Sequence, residues 1–304
     1  MKKVAITGLI FLLVGLILCA CGGAWLLKAG VGEKLSTYVR HLFNDYTERQ
    51  SFEINENKTL PIEGIGRIEF EDMFCSARFE ISDGDNIEVY LTGKYTIIGN
   101  SAKPALRLDK EGDTAIISLK SVKSVPLRLE SKIGDLDLII VVPKSFSGEI
   151  VFDDASGNIK GDLSELNISR LKINNCAGKA ALTLSPEGET TFECSDILGE
   201  AEITGGFFTV ECNDIVGHVN VTVLGEKIKS VNLEDILGEV NVYLPADIKG
   251  KVKVSDCAGK FDNRIASSNS SGKAADSYTC DLNGGGDFTF TAKDILGSVS
   301  IFAA

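Results

Sequence analysis

Few residues of this chain are equipped for chemistry, and their spacing narrows the options further. It has two histidines, His41 and His218, far apart in the sequence. No H-E-x-x-H, C-x-x-C, G-x-S-x-G or Walker-type stretch occurs, so the usual frames for zinc hydrolysis, dithiol exchange, serine acyl transfer and nucleotide binding are missing. What recurs instead is an Asx residue three places before a glycine. Asp154, Asn175, Asp196, Asp214, Asp235, Asp256 and Asp294 precede Gly157, Gly178, Gly199, Gly217, Gly238, Gly259 and Gly297. Carboxylates stacked about 4.8 Å apart would make a cation ladder. Asn175 dilutes its charge, however, and no glycine–aspartate nonapeptide accompanies it. A turn accounts for the motif more simply. Asx side chains fold back on their own backbone, and glycine accepts a positive φ. The column therefore reads as structural, with no catalytic residue, no metal and no cofactor.

The remaining candidates read the same way. Cys194 and Cys212 stand five places before successive glycines, so they share a column, and whether they are bridged stays open. Cys176 and Cys257 replace an isoleucine that recurs one place after the Asx, a position that wants burial. His218 falls on the polar side of an alternating run and reads as solvated. Glu200, Glu202, Glu239 and Lys260 are outward too, but scattered and without aromatic platforms for sugar rings.

The elements behind these columns follow from the repeat. The glycines recur at intervals of 21, 21, 18, 21, 21 and 38 residues, the last read as two turns of 19. Seven places before each glycine lies an apolar column (Ile150, Leu171, Phe192, Val210, Val231, Val252, Phe290), and alternate residues beyond it are apolar again, as in Val219 and Val221. Each period thus predicts two short strands joined by the D-x-x-G turn. Neither strand can hide its apolar face alone, so the periods must stack. The expected fold is all-β, a single-stranded parallel β-solenoid with coils of about 20 residues. Residues 68–81 fit the pattern with Asp72 in the Asx place and Cys75 in the glycine place. Strands are also expected over 87–91, 115–119 and 136–142, and a Ser/Gly-rich surface loop over 265–287.

The N-terminus addresses the chain. Val4 to Leu27 is an almost unbroken apolar stretch behind Met1-Lys2-Lys3, long enough for a helix of about 36 Å. It predicts a single-pass anchor with a cytoplasmic tip and the bulk of the chain outside the cytoplasm. Leu18-Cys19-Ala20-Cys21 also resembles a lipobox, which would make Cys21 a lipid attachment site, and a cleaved signal peptide is the third reading. Leu35, Tyr38, Val39, Leu42, Phe43 and Tyr46 then predict an amphipathic helix over about 32–49. The expected organisation is an anchor over 1–28, a juxtamembrane helix and linker over 29–59, and a repeat domain over 60–304. With 43 acidic against 31 basic residues, a net charge of −12 excludes a nucleic-acid footprint.

Taken together, the MKK-plus-apolar anchor, RIEFEDMFCSARFEISDGDNIEVYLTG and LDLIIVVPKSFSGEIVFDDASGNIKGDL resemble a bacterial putative-adhesin family of repeated β-strands, a family of unknown activity. The resemblance covers roughly residues 60–304 and implies an envelope-anchored β-solenoid facing outward; it brings no catalytic residues. The sequence therefore points to a non-enzymatic adhesin or envelope-binding module recognising a surface ligand or envelope protein. The alternatives are a regulatory partner of membrane proteins in envelope-stress sensing and a glycan-active β-helix enzyme. The final strand, Ser298 to Ala304, reads as an uncapped edge that would receive a partner strand or a second copy.

Overall fold

Polar–apolar alternation with a period of two puts one face of each run against its neighbours and the other in water, and this chain does so throughout. In the computed structural model, residues 49–98, 104–120, 133–265, 270–272 and 277–304 are described, and they are all-β with no helix. The anchor, Cys21 and all but the last residue of the amphipathic helix expected over about 32–49 lie outside the described residues; Arg49 opens a strand. Among the described residues, no helix is long and apolar enough to cross a membrane.

The chain divides into two compact units. Of the first (Met1–Ser51, Thr96–Ala102, Val125–Ile133), only a few strand-end residues are described. The second (Phe52–Tyr95, Lys103–Ser124, Gly134–Ala304) holds nearly all of the described strands.

Its opening strands are β1 (Arg49–Pro61), β2 (Arg67–Met73), β3 (Ser76–Ser82) and β4 (Asn86–Ile98). Next come β5 (Ala105–Glu111), β6 (Thr114–Lys120), β7 (Ile133–Pro143), β8 (Ser147–Ala155) and β9 (Ile159–Leu163). The repeats supply β10 (Asn167–Cys176), β11 (Lys179–Leu184), β12 (Thr190–Ile197), β13 (Glu200–Gly205), β14 (Phe207–Ile215) and β15 (His218–Val223). They continue through β16 (Ser230–Ile236), β17 (Glu239–Leu244), β18 (Gly250–Cys257) and β19 (Lys260–Asn263). The last four are β20 (Ser270–Gly272), β21 (Ser277–Leu282), β22 (Phe288–Ile295) and β23 (Ser298–Ala303). Residues 50–59, expected to be linker, belong to β1.

The strands form two mixed sheets. One runs β1-β4-β7-β3-β9-β11-β13-β15-β17-β23-β19-β20, the other β21-β18-β22-β16-β14-β12-β10-β8-β2-β6-β5. From β8 to β17 the chain passes alternately between them, and each pass pairs in parallel with the one before. Register is strict. Val210 pairs with Val231 and Phe192, and Val219 with Ala201 and Val240. A one-residue slip would turn every such residue to solvent, so the buried rows fix the register.

The core lies between the sheets. Phe70 of β2 stacks on Phe152 of β8, with ring centroids 4.7 Å apart, and both meet Phe79 of the opposite sheet edge-on at 5.6 and 6.0 Å. Further along, the same place is filled by smaller groups, among them Cys194, Cys212, Val221 and Val242, all buried.

Three expectations about the end of the chain are corrected. Residues 265–287 are not simply a surface loop. β20 and β21 lie within them and pair antiparallel with β19 and β18, covering the outer edge of both sheets. The 38-residue interval is therefore not two stacked turns. Nor is the C-terminal strand an edge. β23 pairs with β17 on one side and β19 on the other, and β22 lies between β16 and β18. The last coil thus sits beneath the one that precedes it in sequence. Both coils carry buried inward rows (Phe290, Ala292, Ile295, Val299 and Ile301 in one; Val252, Val254, Cys257 and Phe261 in the other), and β21 and β20 occupy the outer edges of β18 and β19, so β22 and β23 fill the edges that face β16 and β17. The premise of a receptive C-terminal edge falls with this. Both sheets also end in antiparallel pairs at this end, and β5 and β6 make another, so the stack is parallel in its interior and mixed overall.

Candidate functional site

The D-x-x-G turns stack along one border of the two sheets, and their geometry assigns duties differently from the expectation. The left-handed residue is the Asx. Asp154, Asn175, Asp196, Asp214, Asp235, Asp256 and Asp294 have φ between 51° and 57°, and so does Asp72 at 53°. None of the seven glycines has a positive φ. Asp and Asn enter this region more readily than other residues with a Cβ, which explains the column. The Asx also interrupts the ladder. Ser195 pairs with Asn213 and Ile197 with Ile215, leaving Asp196 and Asp214 unpaired between them. This left-handed kink, taken at the same place on both strands, lets Cys194 and Ile197, three residues apart, both face the core.

The glycines answer to crowding instead. A Cβ on Gly217 would land on the carbonyl oxygen of Gly199, and one on Gly238 on that of Gly217. The same holds for Gly178 against Gly157, Gly199 against Gly178, Gly297 against Gly238 and Gly259 against Gly297. Each approach is well inside 3.0 Å, with backbone as the obstacle. Hydrogen bonds enforce the closeness: His218 N donates to Gly199 O at 2.9 Å, Glu239 N to Gly217 O at 3.0 Å and Ser298 N to Gly238 O at 2.9 Å.

Between Asx and glycine stands a position the sequence reading passed over. Leu198, Val216, Leu237 and Leu296 are 65%, 52%, 59% and 64% exposed, against complete burial of the preceding Ile197, Ile215, Ile236 and Ile295. Their backbones stack in order: Val216 N donates to Ile197 O, Leu237 N to Ile215 O and Leu296 N to Ile236 O, each at 2.9 Å. The available signal was the dipeptide itself, since two consecutive aliphatic residues of an extended chain cannot both point inward. Exposed Ala177 and Ala258 bound the row, so the four large side chains are contiguous.

The other singled-out residues are structural or solvated. Cys194 and Cys212 lie side by side in register, buried and with free thiols; Cys176 and Cys257 are buried beside Ile197 and Ile295. Burial pushes the Cys194 thiol well up, reinforced by Cys212, and raises Cys176. Cys75 is pushed up to about 12 by burial and then by the charge of Asp137. His218 is exposed and lies 3.4 Å from Glu239. Glu200 and Glu202 flank Lys179 at 3.1 and 3.4 Å, and Lys260 is 3.9 Å from Asp262. Among the described residues, no group of three or more His, Cys, Asp or Glu is placed to hold a metal ion.

Comparison with known proteins gives distant matches among solved structures. No protein-family model and no curated protein matches the chain. Among solved structures, a putative cell adhesion protein from Clostridium sporogenes aligns over 83% of this chain and all of its own, at 16% identity and a TM-score of 0.38. A putative adhesin from Bacteroides fragilis aligns over 82% of this chain and 97% of its own, at 11% identity and a TM-score of 0.38.

Proposed function

We propose that this chain is a membrane-anchored, extracytoplasmic β-solenoid that works by binding rather than by catalysis, as an adhesin or envelope-binding module. The reading takes residues 4–27 as the anchor, 29–59 as the juxtamembrane part and 60–304 as the outward repeat body. One observation carries it: the turn border presents the same exposed aliphatic–acidic unit on successive coils, from Leu198 to Leu296. A surface repeated at a fixed rise gives a partner many equivalent contacts, which suits binding.

The Asx and glycine columns are assigned to holding that border in shape. The same exposed aliphatic row favours a protein ligand over a glycan, so regulation of a membrane protein partner is the second reading.

The test uses the full chain on intact cells. Surface labelling and protease access should reach residues 60–304 from outside, and cells displaying the chain should bind envelope material or neighbouring cells. Protection of those residues in intact cells would overturn the location. Co-purification with a membrane kinase, without any cell binding, would replace adhesion by regulation. Turnover of a polysaccharide would overturn the non-enzymatic reading.

A further inference from the structure

We infer that the row Leu198, Val216, Leu237 and Leu296 is a docking rail for a basic amphipathic helix of a partner protein. This assignment names the partner chemistry of the binding module proposed above and rests on that reading. Coil order matters here. In chain order, Ala258 would separate Leu237 from Leu296. Because β22 and β23 insert between β16–β17 and β18–β19, Leu296 lies directly over Leu237 and Ala258 moves to the end. The tertiary arrangement therefore assembles four consecutive aliphatic rungs from a sequence that interrupts them.

The spacing suits a helix. Rungs rise about 4.8 Å apart, and the apolar stripe of an α-helix advances about 5.4 Å per turn. Three to four turns lying along the rail would place one Leu-sized side chain between each pair of rungs. A strand laid the same way repeats its face about every 6.8 Å and falls out of step at once.

Charge selects the helix further. Asp196, Asp214, Asp235 and Asp294 run along one side of the rail, and Glu200, His218, Glu239 and Ser298 follow one another in register on the other. Lys293 is paired with Glu234 at 2.9 Å and Asp294 at 3.0 Å, Lys179 with Glu200 at 3.1 Å, and His218 lies 3.4 Å from Glu239, which leaves the column of Asp196, Asp214 and Asp235 as the main acidic flank. Lys or Arg on the matching flank of the partner's apolar stripe would meet this acid directly. The same field repels an anionic membrane and a second copy of this border.

The experiment titrates a fluorescein-labelled peptide of about 18 residues, with Leu on one helical stripe and Lys beside it, into the full chain in zwitterionic nanodiscs, with empty discs as the blank. Binding should saturate, weaken in about 0.5 M salt, and fall at least tenfold in the Leu198→Ser/Leu237→Ser/Leu296→Ser variant. These side chains are mostly exposed, so an unchanged melt is expected, and Leu237→Ser alone serves if the triple variant melts early. Equal binding to the variant, equal binding of the peptide with Glu for Lys, or no binding below about 100 µM overturns the assignment. So does capture of phosphatidylglycerol vesicles, or self-association that the triple variant loses. Peptide failure with cell binding intact sinks the rail alone; cell-binding failure with peptide binding intact sinks the adhesin reading and leaves the rail.

Discussion

The first winding and the central ones build the same turn with different residues, and the difference shows what the glycines are for. In the central windings each glycine lies against the carbonyl of the turn beneath it, as Gly217 does against Gly199. At the first winding, between β2 and β3, Cys75 occupies that place with a full side chain. Its own carbonyl is what a Cβ on Gly157 would strike, so Cys75 serves as the floor for the next turn. Beneath it the neighbouring strands are β6 and β7, which are joined by residues 121–132 rather than by a two-residue turn. The turn column begins at Cys75, and there the demand for glycine lapses. Asp72 keeps its left-handed φ of 53° all the same, because the kink is local to each turn. Glycine here answers to the neighbouring coil, and Asx to its own backbone.

The largest test of that distinction is Gly217→Ala. Backbone must move on two coils, and we expect a loss of about 3 kcal/mol or more in urea unfolding. A loss no greater than that of Gly112→Ala would dismiss crowding as the cause.

Alkaline pH probes the other side of the comparison. The Cys75 thiol, at about 12 in the fold against 9.0 for a free thiol, is held neutral by burial. The unfolded chain therefore sheds its proton first as pH rises, and stability is full below pH 9 and declines between about 9 and 12. By pH 10 the decline from this thiol is about 1.4 kcal/mol. Cys75→Ala should flatten that part of the curve in melts taken from pH 8 to 11.

Asp235→Ala tests the Asx column. With φ at 53°, alanine loses about 1 kcal/mol relative to Asp, while Asp235→Asn and Asp235→Gly should stay within about 0.5 kcal/mol. Equal losses for all three would mean that the carboxylate, not the conformation, was needed. The smallest effect is expected at Gly112, which has φ of 65° and open space where a Cβ would go. Gly112→Ala should cost about 1 kcal/mol or slightly less, from backbone strain alone.

Much of the architecture was readable along the chain. Alternation placed Val219, Val221, Val240 and Val242 inward, and the 18-to-21-residue interval between glycines required coils stacked in register. These features are local or periodic, and a periodic apolar row has only one way to hide from water. The reason for the glycines was misread because positive φ and close approach leave the same mark on a sequence. Among the site residues, the Asx and glycine columns were visible as spacing. The exposed Leu198, Val216, Leu237 and Leu296 were not singled out, because an aliphatic residue beside a buried isoleucine looks like more core until the kink at the Asx fixes which of the two faces inward.

The sequence by itself determined the two-strand coil, its turn chemistry and its inward rows, since each depends on residues a few places apart. The order in which coils lie on one another was decided only in three dimensions. Every coil ends in the same turn and offers the same apolar rows, so β16–β17 accepts either β18–β19 or β22–β23 as far as local pattern goes. β20 and β21 pair with the outer edges of β19 and β18, which leaves β22–β23 the edges that face β16–β17, a comparison of pairing partners rather than of repeats. That comparison spans some 40 residues and has no counterpart in any single repeat.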